Sequence, residues 1–506
     1  METAQPYLED VKSSFWDYAA LIFSKAGVVL LGLASVPLVT RLMGTEGFGK
    51  FSVFLMVAQL VIYVFVSWTS ISVVRYGKEE FVKEGKINKV FWARSLILGV
   101  CFAIGLAVLF VFRSWLGRYI GAPSWIVWFL AGYFLIYTLS EFLFYIFQAV
   151  GRLKTMALAE LAESLVLLAA LLFIKFFIGY SLPILATIIG AYLFCKFSAD
   201  LFFVSRLDLK LFFPVEIDGF TLKRILNFSY PVIFGIMAGY ASTWLDLAIV
   251  KKYLDFSQVG LYALAFKLAN FSQYIGSILN VVLGPIIIGF LALGNQGLII
   301  RYVRRIVPQL MFLWLFIVFF IFILGRPLLP IFFGQSFGGS VLPFSILILG
   351  YFMNILVVLY GPIFSAYEMV KRGTILNVLM AAFGLGLAFI LIPAFGINGA
   401  AWAKVISFSF GGAAFLFSGN RRLKVADFRP FFIFLPLIFL FATVYFLPGS
   451  AGVILGVLAF LVSGFVIAKI IDLFRPEDKA IFDKIDMPVF ARRFLYKVID
   501  FLSPAL

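Results

Sequence analysis

Histidine is absent from this 506-residue chain, and cysteine occurs only twice, at Cys101 and Cys195. Without histidine or a Cys/His cluster, neither a zinc site nor a histidine-based catalytic triad can be built. Two cysteines inside apolar stretches make no disulfide framework. Charge is scarce as well: 13% of residues are charged and 63% hydrophobic, with a mean hydropathy of +1.08. Soluble domains average about 25% charged and 45–50% apolar residues, so a water-soluble globule is excluded. Extended loops are also missing, those on one side of the chain reaching about 15 residues at most. Membrane glycosyltransferases and polymerases place their chemistry in a large extracytoplasmic loop. The chain is therefore expected not to be an enzyme, and to use no metal or cofactor beyond possible coupling to H+ or Na+.

What fills the sequence instead is hydrophobic runs. A helix needs about 20 apolar residues to cross roughly 30 Å of hydrocarbon. Fourteen runs qualify, near 18–40, 48–74, 91–113, 125–150, 154–176, 182–205, 224–250, 259–289, 303–325, 340–366, 373–393, 398–419, 429–447 and 451–472. The net charge of +16 could point to nucleic acid, but its distribution does not. Of the 41 basic residues, 29 fall on one side of these spans, 8 on the other and 4 within them. The rich side includes Arg75, Lys78, Lys83, Lys86, Lys89, Arg301, Arg304, Arg305, Lys371, Arg372, Arg421, Arg422 and Lys424. By the positive-inside rule that side is cytoplasmic, where these residues fix topology and meet anionic headgroups. Both termini are expected in the cytoplasm, with the first span a retained signal anchor. The stretch 206–222 and the tail from Arg475 mix aromatic and basic residues and are expected to lie as amphipathic segments on the cytoplasmic surface.

Gly44, Gly49 and Lys50 match the G-x-x-x-x-G-K core of a phosphate loop. Phe51 follows where Ser or Thr is needed, no strand precedes, and the loop lies on the charge-poor side, so a hairpin turn is the better reading. That hairpin recurs. Residues 41–53 align with 252–264 at an offset of 211, placing Gly49 on Gly260 and Phe51 on Tyr262. Further along, 148–154 aligns with 365–371, and the segment from Gly179 with that from Gly396, at an offset of 217. The expected fold is an all-α polytopic membrane protein with two parallel-repeat lobes of six helices, 1–205 and 224–420. A linker at 206–223 joins them; two further helices at 421–474 and the tail 475–506 follow.

The stretch TRLMGTEGFGKFSVFLMVAQL at 40–60, and LIPAFGINGAAWAKVIS at 391–407, resemble the polysaccharide flippases (Wzx-like, polysaccharide transporter family) of the multidrug/oligosaccharidyl-lipid/polysaccharide exporter superfamily. The resemblance extends over the whole chain in length, span number and lobe plan. It implies a fold like that of the multidrug exporters, and movement of an undecaprenyl-diphosphate-linked oligosaccharide from the inner to the outer leaflet by alternating access.

Such a substrate joins a greasy tail to an anionic diphosphate and a hydroxyl-rich head that hydrocarbon rejects. Charged residues in mid-membrane cost about 2.5–3.5 kcal/mol on insertion scales and face the bundle interior. The candidates are Lys25, Glu141, Glu160, Glu163, Lys196, Asp200, Asp246, Lys267 and Lys404. Lys267, Asn270, Tyr274 and Ser277 form one stripe, which Gln59 and Tyr63 match at offset 211. Span 4 adds Tyr137 and Glu141. Tyrosines and amides suit sugar hydroxyls and ring faces, and Lys25 and Lys267 suit a diphosphate as mobile point charges. The expected substrate-binding set is thus Lys25, Gln59, Tyr63, Tyr137, Lys267, Asn270 and Tyr274, with Asp246 and Glu141 as ion-coupling residues. Lys196 and Asp200, four apart, are expected to neutralise each other, and Lys404 to snorkel to the interface. Pro37 and Pro231, in the first helix of each lobe, are expected to bend it.

The competing readings are a multidrug or lipid II exporter of the same superfamily, and an enzyme or accessory subunit of polysaccharide assembly. Expected partners are the lipid-linked glycan, membrane lipids and polysaccharide polymerase or assembly proteins, with no nucleic acid and a monomeric chain.

Overall fold

The computed structural model describes residues 5–178, 183–292, 294–447, 449–475 and Tyr496; the amphipathic tail expected from Arg475 lies almost wholly outside them. The described residues are helical, with no strand. Eleven helices among them are long and apolar enough to cross a membrane. The two longest, both more than one bilayer needs, are 27–65, with 39 residues, and 370–423, with 54. At 1.5 Å per residue they would extend about 58 and 81 Å. Each contains one glycine out of helical geometry, Gly44 (φ 65°) and Gly396 (φ 59°), in the left-handed region that favours glycine.

The chain divides into two compact units. Unit 1 comprises 1–264, 329–340 and 385–400; unit 2 comprises 265–328, 341–384 and 401–506.

In unit 1 the expected hairpin repeat becomes a contact. A Cβ on Gly49 would collide with the carbonyl oxygen of Phe256, and one on Gly260 with that of Thr45. Thr45 and Phe256 are themselves 211 positions apart, so the contact is reciprocal between repeat-related segments. The hydroxyl of Ser257 donates to that of Thr45 at 2.7 Å. Apolar burial does not drive helices together in lipid, and close approach over small residues gains dispersion and polar contacts instead. The phosphate-loop match dissolves here: Lys50 pairs with Glu46 at 2.7 Å, one helical turn away.

The linker is partly a buried strap, not simply a surface segment. Phe212 is buried in a cluster with Val73, Ile87, Val90 and Ile225. Hydrogen bonds to its carbonyls hold it: the Ile87 main-chain amide donates to Leu211, the Trp92 indole to Phe212 and the Asn88 side-chain amide to Pro214. Phe213 and Val215 remain exposed on its other side. Nearby, the Glu80 carboxylate accepts from the amides of Lys89 and Val90 and so caps the Asn88–Val111 helix.

The expected seventh span is broken into Gly219–Ser229, Val232–Tyr240, a π-helical turn Ala241–Leu245, and Asp246–Tyr253. Pro231 sits at the first break, where a missing N–H and a fixed φ end the helix. Pro37, by contrast, lies inside the helical segment that precedes Gly44.

Unit 2 is built around Val341–Ala366, most of whose residues are buried. Gly350 admits the Val405 backbone and Gly412 the Met353 carbonyl. Phe352 stacks on Phe434 at 5.3 Å, and Phe319 on Phe460 at 4.2 Å. The helices Arg429–Phe446 and Gly449–Ile470 pair closely, Gly452 and Gly456 presenting a G-x-x-x-G face to Leu447, Thr443 and Val444.

Candidate functional site

Unit 1 contains a connected polar interior. The Gln59 amide donates to the Tyr133 hydroxyl at 2.7 Å. Tyr133 stacks on Tyr137, one turn along Ile126–Ala149, with centroids 3.9 Å apart and planes 12° from parallel. The Lys196 ammonium lies 5.0 Å over the Tyr137 ring and pairs with Glu163 at 2.8 Å. Asp200 accepts from Ser140 at 2.6 Å. The expected Lys196–Asp200 pair is therefore corrected: lysine reaches across to Glu163 on the neighbouring Leu153–Phe173 helix, and aspartate turns to a serine hydroxyl. In a dry interior the shorter, better-aligned partner wins over sequence spacing.

Glu141 belongs to a second cluster. It accepts from Ser67 at 3.0 Å and from Ser70 at 2.6 Å. Ser70 in turn accepts from the Arg94 guanidinium at 2.9 Å. The short 3-10 turn Ser67–Thr69, between helix 27–65 and Ser70–Glu84, aims both serines at Glu141. Arg94 is fully buried, with its guanidinium over Phe142 at 5.2 Å and Tyr145 at 5.9 Å. Sequence reading missed Arg94 because it lies near the basic end of its span and was counted with the loop charges. Its signal was position: six residues beyond Asn88, inside VFWARSLIL, too deep for a loop.

Asp246 begins Asp246–Tyr253 directly after the π-helical turn, an irregularity common at functional sites. It is buried, and accepts from the Tyr262 hydroxyl and from the Leu247 amide. Tyr63 packs on Tyr240, whose hydroxyl donates to the Met56 carbonyl at 3.0 Å. Thus Gln59 and Tyr137 share one network, while Glu141, Asp246 and Tyr63 each have separate partners.

In unit 2 the Tyr351 hydroxyl donates to Asn270 at 3.0 Å. Asn270 is Gln59 plus 211, so an amide–tyrosine bond occurs in both units, with the amide donating in unit 1 and the tyrosine donating in unit 2. Lys267, one turn away, has no ion pair among the described residues and is only partly accessible. Lys404 corrects the snorkelling expectation: it is 7% exposed, its ammonium 4.6 Å from the Phe266 ring and 5.8 Å from Phe408. The side chains of Lys25 and Tyr274 lie outside the described residues, although their backbones are helical.

These side chains offer hydroxyls, amides, aromatic faces and both signs of charge, a set able to bind polyols and anions. The sequence model of a family described as "Polysaccharide biosynthesis protein" matches residues 16–291, more than half the chain. The chain belongs to this family. A relative of this chain is the succinoglycan biosynthesis transport protein ExoT of Rhizobium meliloti (strain 1021), 23% identical over 279 residues. That match covers 52% of this chain and 51% of the relative, so the chain spans about half the length of the curated relative it matches. The lipid II flippase MurJ, in an inward closed conformation, superposes with a TM-score of 0.65 at 12% identity, over 90% of this chain and 98% of that one. An inward-facing MATE multidrug resistance transporter of the MOP superfamily gives 0.59 at 17% identity, over 80% and 94%. The family member thus has the multi-pass helical fold of that superfamily.

Proposed function

We propose that this chain moves a lipid-diphosphate-linked oligosaccharide from the inner to the outer leaflet of the cytoplasmic membrane by alternating access. The family match over 16–291 is the observation that supports this most directly. The relative named for succinoglycan transport points the same way. On this reading the chain crosses the membrane fourteen times with both termini cytoplasmic. Gly44 and Gly396 mark reversals inside the two overlong helices, and the Phe256–Ala292 helix supplies a further crossing.

The polar interiors supply the physical means. Gln59, Tyr63, Tyr137, Asn270 and Tyr274 provide sugar-binding groups, and Lys25 and Lys267 meet the diphosphate. Glu141 and Asp246, held by neutral hydroxyls, are the carboxylates suited to exchange H+ or Na+. Outward movement of anionic charge against an inside-negative potential also gains about 2.3 kcal/mol per charge per 100 mV.

The test is flipping of a lipid-diphosphate-linked oligosaccharide in proteoliposomes, with efflux of a cationic drug as control. Wild type should flip the glycolipid, and Lys25→Ala and Lys267→Ala should lose most of that activity. Drug movement without glycolipid flipping would establish the exporter reading instead.

A further inference from the structure

The positive-inside rule strips basic residues from the non-cytoplasmic face, and only eight of 41 fall there in this chain. Three of those eight, Arg118, Lys251 and Lys252, line a single cavity of about 730 Å³ in unit 1. Trp115, Tyr119 and Phe389 complete its rim, over an apolar floor that includes Leu245 and Ile249. Among the described residues, no acidic one lines it.

Two other basic residues of that face have structural employment. Arg41 donates to the carbonyls of Phe332 and Ile331 at 2.8 and 2.5 Å, and Lys50 pairs with Glu46. Arg118, Lys251 and Lys252 form no ion pair among the described residues. Arg118 makes one long bond to its own helix, at 3.4 Å from the Ser114 carbonyl, and the two lysines sit over aromatic rings, Lys251 at 3.9 Å from Phe256 and Lys252 at 5.6 Å from Phe389. The aromatic platform is formed in advance: Trp115 and Tyr119 stack at 5.1 Å with planes 12° apart, and Trp115 is still 52% exposed.

A belt of interfacial aromatics and snorkelling lysines would also place such residues at this depth. A belt, however, spreads around the perimeter, whereas these groups converge on one concavity of ligand-sized volume. Stacked flat rings beside unneutralised cations are what an anionic sugar requires: ring faces for the pyranose, guanidinium and ammonium for phosphate or carboxylate.

We propose that this cleft is an exit subsite, which holds the anionic glycan headgroup on the outer side of the membrane. The inference rests on the flippase reading and its orientation. It is separate from the polar interiors around Gln59 and Asn270. By holding the headgroup the cleft opposes its return, so it acts on the direction of net transport.

The test uses the purified full chain in neutral detergent and a detergent-soluble short-chain lipid diphosphate bearing a disaccharide, in plain and photoactivatable forms. Photolabelling should mark residues within 113–121 and 246–253. Replacing Arg118, Lys251 and Lys252 together by Gln should lower that labelling and weaken binding about tenfold, with an unchanged thermal midpoint. Trp115→Ala should weaken the disaccharide probe while sparing a sugar-free isoprenoid diphosphate. If the triple variant unfolds, Lys252→Gln alone, on an exposed side chain, gives the same reading at smaller scale. Labelling confined to other helices, or full labelling and binding in the variants, overturns the proposal. Equal competition by phosphatidylglycerol micelles, with no effect of Trp115→Ala, overturns it in favour of a lipid-headgroup site. A wild type that flips glycolipid yet leaves the cleft unlabelled defeats the subsite alone; one that neither flips nor binds defeats the flippase reading itself.

Discussion

In unit 1 two buried cations meet acidic partners: Lys196 pairs with Glu163, and Arg94 is linked through Ser70 to Glu141. Around Asn270, 211 positions after Gln59, unit 2 again joins an amide to a tyrosine, but beside it stands Lys267, with no ion pair among the described residues. At offset 211 Lys267 replaces Met56, a neutral residue. Duplicated scaffolds thus share a geometry and differ in electrostatics. A paired charge holds a packed interior together; a cation without a fixed carboxylate is a standing cost that an anionic ligand can relieve.

The comparison breaks most severely at the reciprocal glycines. Gly49→Ala and Gly260→Ala should each destabilise by about 3 kcal/mol or more, because the opposing atom is main-chain carbonyl and cannot swing aside. Equal losses in thermal unfolding would show the contact to be symmetric. Gly239→Ala, where a Cβ meets nothing within 4 Å, is the control and should be neutral or stabilising by up to about 1 kcal/mol.

Next in size is the charge contrast. Glu163→Gln should cost about 2 kcal/mol, since it strands Lys196; both side chains keep 20–26% exposure, which places the effect below that of a fully buried pair. The swap Glu163→Lys with Lys196→Glu should recover much of it. Lys267→Met should do the reverse: the thermal midpoint holds or rises while glycolipid flipping falls at least about tenfold, as expected for a charge retained for its ligand. A marked loss of stability in Lys267→Met would mean that unit 2 pairs its cation too.

Smaller still is the shared bond. Gln59→Leu and Asn270→Leu should each cost about 1 kcal/mol, and cycles with Tyr133→Phe and Tyr351→Phe should return similar coupling energies in the two units. The least effect lies outside the spans. Lys83 and Arg224 hold the Glu79 carboxylate below its ordinary range. The stabilisation is therefore present above the unfolded glutamate value and lost as pH falls through the lower folded one. The thermal midpoint should dip slightly in acid, and Glu79→Gln should flatten that dip.

Periodicity and charge placement made much of this legible. Apolar runs found the helices, and the internal repeat singled out Gly49 with Gly260 and Gln59 with Asn270 before any contact was visible. Partner choice was not legible. Lys196 and Asp200 satisfy a helical spacing, yet Glu163, 33 residues earlier on another helix, is what the lysine meets. Asp246 and Tyr262 are 16 apart across a turn, and no periodicity joins them. Arg94 was lost to a boundary, because side-chain counts treat the ends of spans as water. The linker was misjudged for a related reason: Phe212 reads as a membrane-surface aromatic until Val90 and Ile225 are known to enclose it.

That strap decides where the gene could be cut. An obvious place to divide the chain into two co-expressed fragments is the charged stretch between the repeats. The Ile87, Asn88 and Trp92 bonds to residues 211–214 oppose this, since a break there frees Phe212 from its pocket and leaves the first fragment with an open apolar socket. A break near Gly294, after the paired hairpins are complete, keeps both the strap and the Gly49–Gly260 contact on one polypeptide, and should be the fragment pair that reassembles into a working transporter.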